Sequence, residues 1–136
     1  MLDDIEGGKR ARDLESSSLE FKQEAPNVKT SLEMIADAVV CMANADGGSI
    51  VLGVNDKASG PEAIIGVSTL DLRAIVNGVF DRTKPALSIP VIPHRRHDKD
   101  LFELVVPAGA TIYSNAKGTA TRRVNDECRP FPPAEQ

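Results

Sequence analysis

The sequence predicts an α+β domain in which a mixed β-sheet packs against two principal helices. The chain has 136 residues, which suits one ordinary domain. It is 41% hydrophobic and 26% charged, and such values are typical of globular proteins. The predicted elements run strand, helix, two strands, helix and three strands, an order that favours the α+β class. With four Phe, one Tyr and no Trp, the core is expected to be aliphatic.

The first predicted strand is residues 19–23, LEFKQ, after a short helix that begins near Lys9. Apolar and polar residues alternate in this strand, so one face is expected to be buried and the other wet. Glu20 and Lys22 fall together on the wet face. Turn-forming residues at 26–27 end the strand.

The first principal helix is predicted to begin at a capping box formed by Thr30 and Glu33. Apolar residues then recur at spacings of three and four for about four turns, and Gly47-Gly48 is expected to end the helix. The next segment, SIVLGV at 49–54, is continuously apolar, which predicts a strand at the centre of the sheet. A short partner strand is expected at 63–67.

The second principal helix is predicted from Leu72 to Phe80, with Ser68 and Asp71 as its capping residues. Two prolines in segment 86–93 predict an edge strand there.

The rest of the chain is predicted to form a charged hairpin tip at 94–100, a returning strand at 101–107 and a last strand at 120–124. Residues around 111–113 are a candidate for one more strand, outside the order given above. The predicted organisation is a polar segment at 1–13, one domain at 14–130 and a linker or tail at 131–136.

Several classes of protein are not expected. The longest apolar stretch, 34–45, is interrupted by polar residues and is shorter than the ~20 residues of a membrane span. Two cysteines are too few for a disulfide framework or a zinc site, and Cys41 is predicted to be a small buried apolar residue. No glycine-rich nucleotide-binding motif is present. No membrane partner is therefore expected, and the predicted location is the cytoplasm.

Charge is unevenly distributed along the chain. Residues 1–81 carry 7 basic and 14 acidic side chains, whereas residues 82–136 carry 9 basic and 6 acidic ones. This asymmetry is a hint of a surface that faces a polyanion, and the alternative, which composition alone favours, is a solvated surface with scattered charges. An arm with arginines at its tip suits a nucleic-acid groove, and the alternative is an exposed hairpin kept soluble by its charge. The candidate nucleic-acid-binding residues are Lys22, Arg95, Arg96, Lys99, Lys117, Arg122 and Arg123.

Three carboxylates are candidate metal ligands. If strand 19–23 lies beside strand 49–54, Glu20 and Asp56 converge at the end of the sheet, and Glu15 can join them from the preceding turn. Such oxygen ligands suit Mg²⁺ or Mn²⁺, which could polarise a phosphodiester and activate water. The alternative is that all three are ordinary surface acids.

The motifs in their order and spacing resemble the Schlafen AlbA-like domain, described as DNA-binding in Schlafen proteins and in many bacterial regulators. The resemblance covers Leu14 to Pro130 and rests on LESxxLEFK at 14–22, ANADGG at 43–48, IVLGVxD at 50–56 and IG at 65–66. The family also has a strand near its C-terminal end with the pattern YIRVG, and this strand corresponds to TRRVN at 121–125. There Asn125 replaces a glycine, which a left-handed turn tolerates. The usual aromatic residue before the arginine is absent.

The resemblance implies an AlbA-like fold and nucleic-acid binding. In the Schlafen branch it also implies a metal-dependent RNA-cleaving site, whose catalytic and metal-ligating acids correspond to Glu15, Glu20 and Asp56. Schlafen nucleases pair two such lobes, so one lobe implies a homodimer.

The predicted function is a DNA- or RNA-binding module without a cofactor. It is expected to serve in transcription regulation, with further domains of a longer chain as additional partners. The first alternative is a Mg²⁺- or Mn²⁺-dependent endoribonuclease that acts on structured RNA such as tRNA. The second alternative is a dimerisation or scaffolding domain.

Overall fold

The computed structural model describes residues 1–131 and confirms the predicted α+β class. The helices are α1 (Leu2–Glu6), α2 (Ala11–Leu14), α3 (Val28–Ala43) and α4 (Leu72–Arg82), with a 3₁₀ turn at Pro61–Ala63. The strands are β1 (Leu19–Lys22), β2 (Gly48–Leu52), β3 (Thr83–Lys84), β4 (Val91–Arg96), β5 (Lys99–Val106), β6 (Ser114–Asn115), β7 (Thr121–Val124) and β8 (Glu127–Pro130). Most of the predicted tail, residues 132–136, lies outside the described residues.

The main sheet has four strands in the order β1-β2-β5-β4. Strand β1 runs parallel to β2, while β5 is antiparallel to both β2 and β4. The sheet is therefore mixed, with β2 inside and β4 at an edge, as predicted. Two small ladders complete the fold: β3 pairs with β6, and β7 pairs with β8.

Both faces of the main sheet are covered. On one face, Ile50 of β2 and Leu104 of β5 pack under α3 and α4. On the other face, Val51 packs with Leu2 and Ile5 of α1. Segment 1–13, predicted to be merely polar, thus supplies three core residues, Leu2, Ile5 and Ala11, because helices of five and four residues are too short to show a periodic pattern.

The cap of α3 differs from the prediction, and the cap of α4 agrees with it in part. The side chain of Asn27, not Thr30, caps α3 by accepting a hydrogen bond from the Thr30 amide at 2.8 Å. Asp71 caps α4 by accepting from the Ala74 amide at 2.8 Å, and Ser68 does not take part. Helix α3 ends at Ala43, before the predicted glycines. Gly47 has a φ of 76° in the turn into β2, where an added Cβ would lie 2.5 Å from a backbone oxygen of Val106.

Several of the remaining strands also differ from their predicted positions. The partner strand predicted at 63–67 is absent from the described structure, where the 3₁₀ turn and a single Val54–Ile64 bridge occupy this region. The β4–β5 hairpin turns at His97 and Asp98, which both have positive φ, so the charged residues on either side belong to the strands. Strand β6 follows the predicted 111–113, and β8 was not predicted.

A disulfide joins Cys41 of α3 to Cys128 of β8, across 87 residues of sequence. Cys41 is fully buried as predicted, but its disulfide was not predicted. Nothing in the spacing of the two cysteines indicates that the last hairpin returns to α3.

Among the described helices, none combines the length and apolar character that crossing a bilayer requires.

Candidate nucleic-acid interface and carboxylate site

The β7–β8 hairpin, residues 121–130, has one face towards the domain and one towards solvent. In its ladder, Arg122 lies opposite Arg129, and Arg123 lies opposite Cys128. Successive residues of a strand point to opposite faces, so these two pairs lie on different sides of the hairpin. The disulfide and the burial of Arg123 identify the inner face. Arg122 and Arg129 therefore lie on the outer face, together with the Val124–Glu127 pair.

The guanidinium of Arg123 fixes the inner face of the hairpin to β1. Its side chain is only 1% exposed, and its Nη1 lies 3.2 Å from Oε2 of Glu20. Nη2 donates to the carbonyl oxygen of Ser16 at 2.9 Å, and a longer contact of 3.4 Å reaches the Leu19 carbonyl. Strand β7 is also held by Asn44, whose side-chain amide donates to the Thr121 carbonyl at 2.8 Å. The structure thus gives Arg123 an internal role in place of the predicted phosphate contact.

Glu20 is buried, contrary to the predicted wet face of its strand. Arg123, from the inner face of the β7–β8 hairpin, lies against the side of β1 that carries Glu20. Besides Arg123, the carboxylate has Lys22 as a partner, with Nζ 3.4 Å from Oε1. Glu20 Oε2 and Arg123 Nη1 are both buried and make no further hydrogen bond within the described residues. A buried carboxylate requires such compensation, because desolvation strongly penalises an unpaired charge.

Glu15 accepts a hydrogen bond from a backbone amide of β1, an edge strand of the main sheet. Its Oε2 accepts a hydrogen bond from the Phe21 N–H at 3.0 Å. Burial raises the pKa of Glu15, and repulsion by Asp56 and Glu20 raises it further, whereas the Phe21 amide and Arg123 oppose the shift. Glu15 therefore lies close enough to each of the other two predicted acids to interact with it electrostatically.

These carboxylates do not have the arrangement of a metal centre. Within residues 1–131, no three His, Cys, Asp or Glu side chains are grouped so that they could hold a metal ion. Glu20 is occupied by Arg123 and Lys22, and one oxygen of Glu15 by the Phe21 amide. A divalent cation of the Mg²⁺ class requires several free oxygen ligands around one point. The residues as placed do not fit the metal that the family resemblance implies.

The β4–β5 arm, residues 91–106, is formally neutral, because its three Arg and Lys residues are balanced by three carboxylates. Arg95 Nη1 lies 2.6 Å from an oxygen of Asp100, and Arg96 lies 3.9 Å from Asp3 of α1. Lys99 Nζ donates to the Ile64 carbonyl at 3.0 Å. The predicted arm cations are thus all engaged by the protein itself.

The positive excess of the C-terminal region lies instead in residues 117–131, which contain four basic and two acidic side chains. Arg122 and Arg129 are exposed and directly opposite each other, a position in which like charges repel. The Arg122 guanidinium lies 5.8 Å from the ring centroid of Phe131, and Arg129 pairs with Glu127 at 3.0 Å. Lys117 is exposed in the loop that precedes this hairpin.

Phe131 places an aromatic ring beside Arg122, although the sequence lacks the usual aromatic residue before that arginine. Sequence reasoning missed this contact because β8, the strand that carries the chain back to Arg122, was not predicted. The backbone amide of Phe131 donates to the Ala120 carbonyl at 3.0 Å, which places the ring at the end of β7.

Comparisons with known proteins agree with this fold. The family model described as Schlafen, AlbA_2 matches residues 15–132. The crystal structure of the DIP2311 protein from Corynebacterium diphtheriae is similar, with a TM-score of 0.72 and 27% identity over 85% of this chain. This chain covers only 25% of that protein. The N-terminal domain of a RecG-related protein from Nitrosomonas europaea matches with a TM-score of 0.50 and 22% identity, covering 74% of each chain. A search among curated proteins finds no significant match.

Proposed function

Because the chain belongs to the Schlafen AlbA_2 family, we propose that it is a nucleic-acid-binding module that contacts phosphates through the outer face of its β7–β8 hairpin. The observation that carries this proposal is the exposed pair of Arg122 and Arg129, directly opposite each other on a hairpin whose inner face is fixed.

The chemistry of this pair suits phosphate. Two guanidinium groups opposite each other repel, and a phosphate bound at each of them relieves that repulsion. Arginine presents a planar fork of donors that matches phosphate oxygens, and its charge persists at any physiological pH. Lys117 lies in the preceding loop and extends the same positive segment.

The hairpin is also pre-organised for binding. Arg123, Asn44 and the disulfide hold it against β1 and α3. A surface that is already ordered loses less conformational entropy when it binds, so the two outer arginines are presented at low cost.

The neutral β4–β5 arm is expected to contribute less to phosphate binding than the hairpin. Arg95 and Arg96 pair with Asp100 and Asp3 in a segment that is formally neutral, whereas residues 117–131 carry an excess of positive charge even though Arg129 pairs with Glu127. Arg95 and Arg96 therefore offer a matched control for the hairpin arginines, since either double substitution removes two positive charges from an exposed two-stranded ribbon.

The test is fluorescence anisotropy of labelled duplex DNA, single-stranded RNA and tRNA at several salt concentrations. Each phosphate contact on duplex DNA contributes about 0.9 to the slope of log K against log salt. We expect Arg122→Ala/Arg129→Ala to reduce that slope by about 1.8 on duplex DNA and to weaken binding of all sequences. Arg95→Ala/Arg96→Ala should change it less. An equal or larger effect of the arm double variant would contradict the hairpin assignment.

The three substrates also decide between DNA and RNA. The Nitrosomonas europaea domain comes from a protein related to the ATP-dependent DNA helicase RecG, which makes duplex DNA the first ligand to test. The same incubations with Mn²⁺ or with a chelator test the endoribonuclease alternative, which predicts cleavage of tRNA only when Mn²⁺ is present.

A homodimer and a role in a larger regulatory protein belong to the same proposal. Light scattering should give twice 14.6 kDa if the domain pairs with a second copy. A particle of 14.6 kDa that still binds nucleic acid would contradict the dimer. The scaffolding alternative predicts self-association without salt-dependent binding.

A further inference from the structure

We propose that the Cys41–Cys128 disulfide is a thiol-controlled latch that fixes the β7–β8 hairpin on α3. Strand β8 consists of four exposed residues, and the disulfide attaches it covalently to a fully buried residue of the helix. Strand β7 has its own anchors, the Arg123–Glu20 ion pair and the Asn44 hydrogen bond to Thr121. Breaking the disulfide should therefore loosen β8 first and β7 less.

The bond is placed where a reductant can reach it. Cys128 is exposed in an outer strand and lines a groove of about 440 Å³ between α3 and the hairpin, whereas Cys41 is fully buried. A small dithiol can attack Cys128 Sγ as a thiolate, so the S–S bond breaks and Cys41 leaves as a thiolate that takes up a proton. The second thiol of the reagent then attacks the first sulfur of the reagent, the one that is bonded to Cys128 in the mixed disulfide. This releases the Cys128 thiol and oxidises the dithiol to a cyclic disulfide.

The latch would control the arginine pair. Arg122 lies on β7 and Arg129 on β8, so their separation is fixed only while the two strands stay paired against the domain. Reduction should leave Arg122 near its place and release Arg129. This consequence for nucleic-acid binding rests on the proposed function, while the release of the hairpin does not.

Hydrogen exchange of backbone amides, measured with and without dithiothreitol, tests the latch directly. In the reduced protein we expect the amides of Glu127, Cys128 and Arg129 in β8 to exchange at least tenfold faster and those of β7 to accelerate less, while those of β2 and β5 keep their rates. Cys128→Ser should show the fast exchange without dithiothreitol and should not respond to it. Unchanged exchange in wild-type protein, with two free thiols confirmed by thiol titration, would overturn the latch even if the variant failed to fold.

Anisotropy with duplex DNA, measured on the same samples, separates the latch from the proposed function. We expect severalfold weaker binding and a smaller salt slope after reduction. If the hairpin loosens and binding does not change, control of binding by the latch is refuted and the release alone stands. If the oxidised protein binds no nucleic acid, the proposed function fails, and the exchange data alone confirm or overturn the latch.

Discussion

Replacement of Arg123 by methionine should destabilise the domain far more than replacement of any exposed arginine. The substitution keeps an unbranched side chain but removes the guanidinium that lies 3.2 Å from Glu20 and donates to the Ser16 carbonyl. Glu20 remains buried with only the more distant Lys22 as a partner. Removal of one partner of a buried ion pair costs about 3–5 kcal/mol. A domain of this size is typically stable by about 5–15 kcal/mol, so the loss is a large fraction of the total.

Urea unfolding followed by far-UV circular dichroism measures this loss, since the protein has no tryptophan for fluorescence. With a typical m-value of about 2 kcal/mol/M, a loss of about 4 kcal/mol lowers the midpoint by about 2 M. Arg95→Met is the matched control, because Arg95 pairs with Asp100 at the surface and its loss should cost at most about 1 kcal/mol. An Arg123→Met variant as stable as Arg95→Met would refute the reasoning. Adding Glu20→Gln to Arg123→Met should recover part of the loss, because the unpaired charge is then gone.

Four further predictions follow from the same structure. Arg122→Ala/Arg129→Ala should leave the free energy of unfolding within about 0.5 kcal/mol of wild type, because both side chains are exposed, and circular dichroism during urea unfolding checks this. Reduction of the Cys41–Cys128 bond should lower the stability by up to about 4.5 kcal/mol, the chain-entropy value for a loop of this length, as a reduced-versus-oxidised melt would show. Glu15 has a raised pKa, so its favourable contribution is complete below its ordinary value of 4.5 and is lost as pH rises through the raised value. Glu15→Gln should therefore flatten the pH dependence of stability above 4.5. Glu24 has a lowered pKa, because hydrogen bonds from Ser68 and Thr69 outweigh its partial burial, so Glu24→Gln should destabilise at pH 7 and have no effect once pH falls below the lowered value.

The strongest periodic patterns predicted the elements that form the core of the fold. Helix α3 and strand β2 each have a continuous apolar signal, and both lie where the sequence places them. The first residue of each helix was harder to predict, since several residues near it could serve as the cap. Thr30 and Glu33 match a capping box, but Asn27 lies three residues earlier and takes the amide of Thr30. Local sequence could not decide between these candidates, because both satisfy the same orphan donors.

The candidate site was harder to predict than the fold. Strand β7 has the sequence Thr-Arg-Arg-Val, so no alternation of apolar and polar residues shows which arginine faces inward. Strand β8, Glu-Cys-Arg-Pro, contains no β-branched or aromatic residue and ends in a proline, so it gives no strand signal. Glu20 was assigned to a wet face because charged residues usually are exposed. Its burial depends on Arg123, which lies more than a hundred residues away, and no local pattern contains that information.

The contacts on the inner face of the hairpin determine which residues lie on its outer face. A shift of the hairpin by one residue would bring Arg122 to Glu20 and expose Arg123, because side chains alternate between the faces of a strand. An ion pair alone would accept either arginine. The disulfide accepts only Cys128, and Cys128 lies opposite Arg123 in the ladder. The disulfide and the ion pair together therefore select one register, and that register directs Arg122 and Arg129 to solvent on the same side. Since buried ion pairs contribute little net stability but can fix a register, we expect the Arg123–Glu20 pair to matter more for the orientation of the outer arginines than for the free energy gained over an apolar pair.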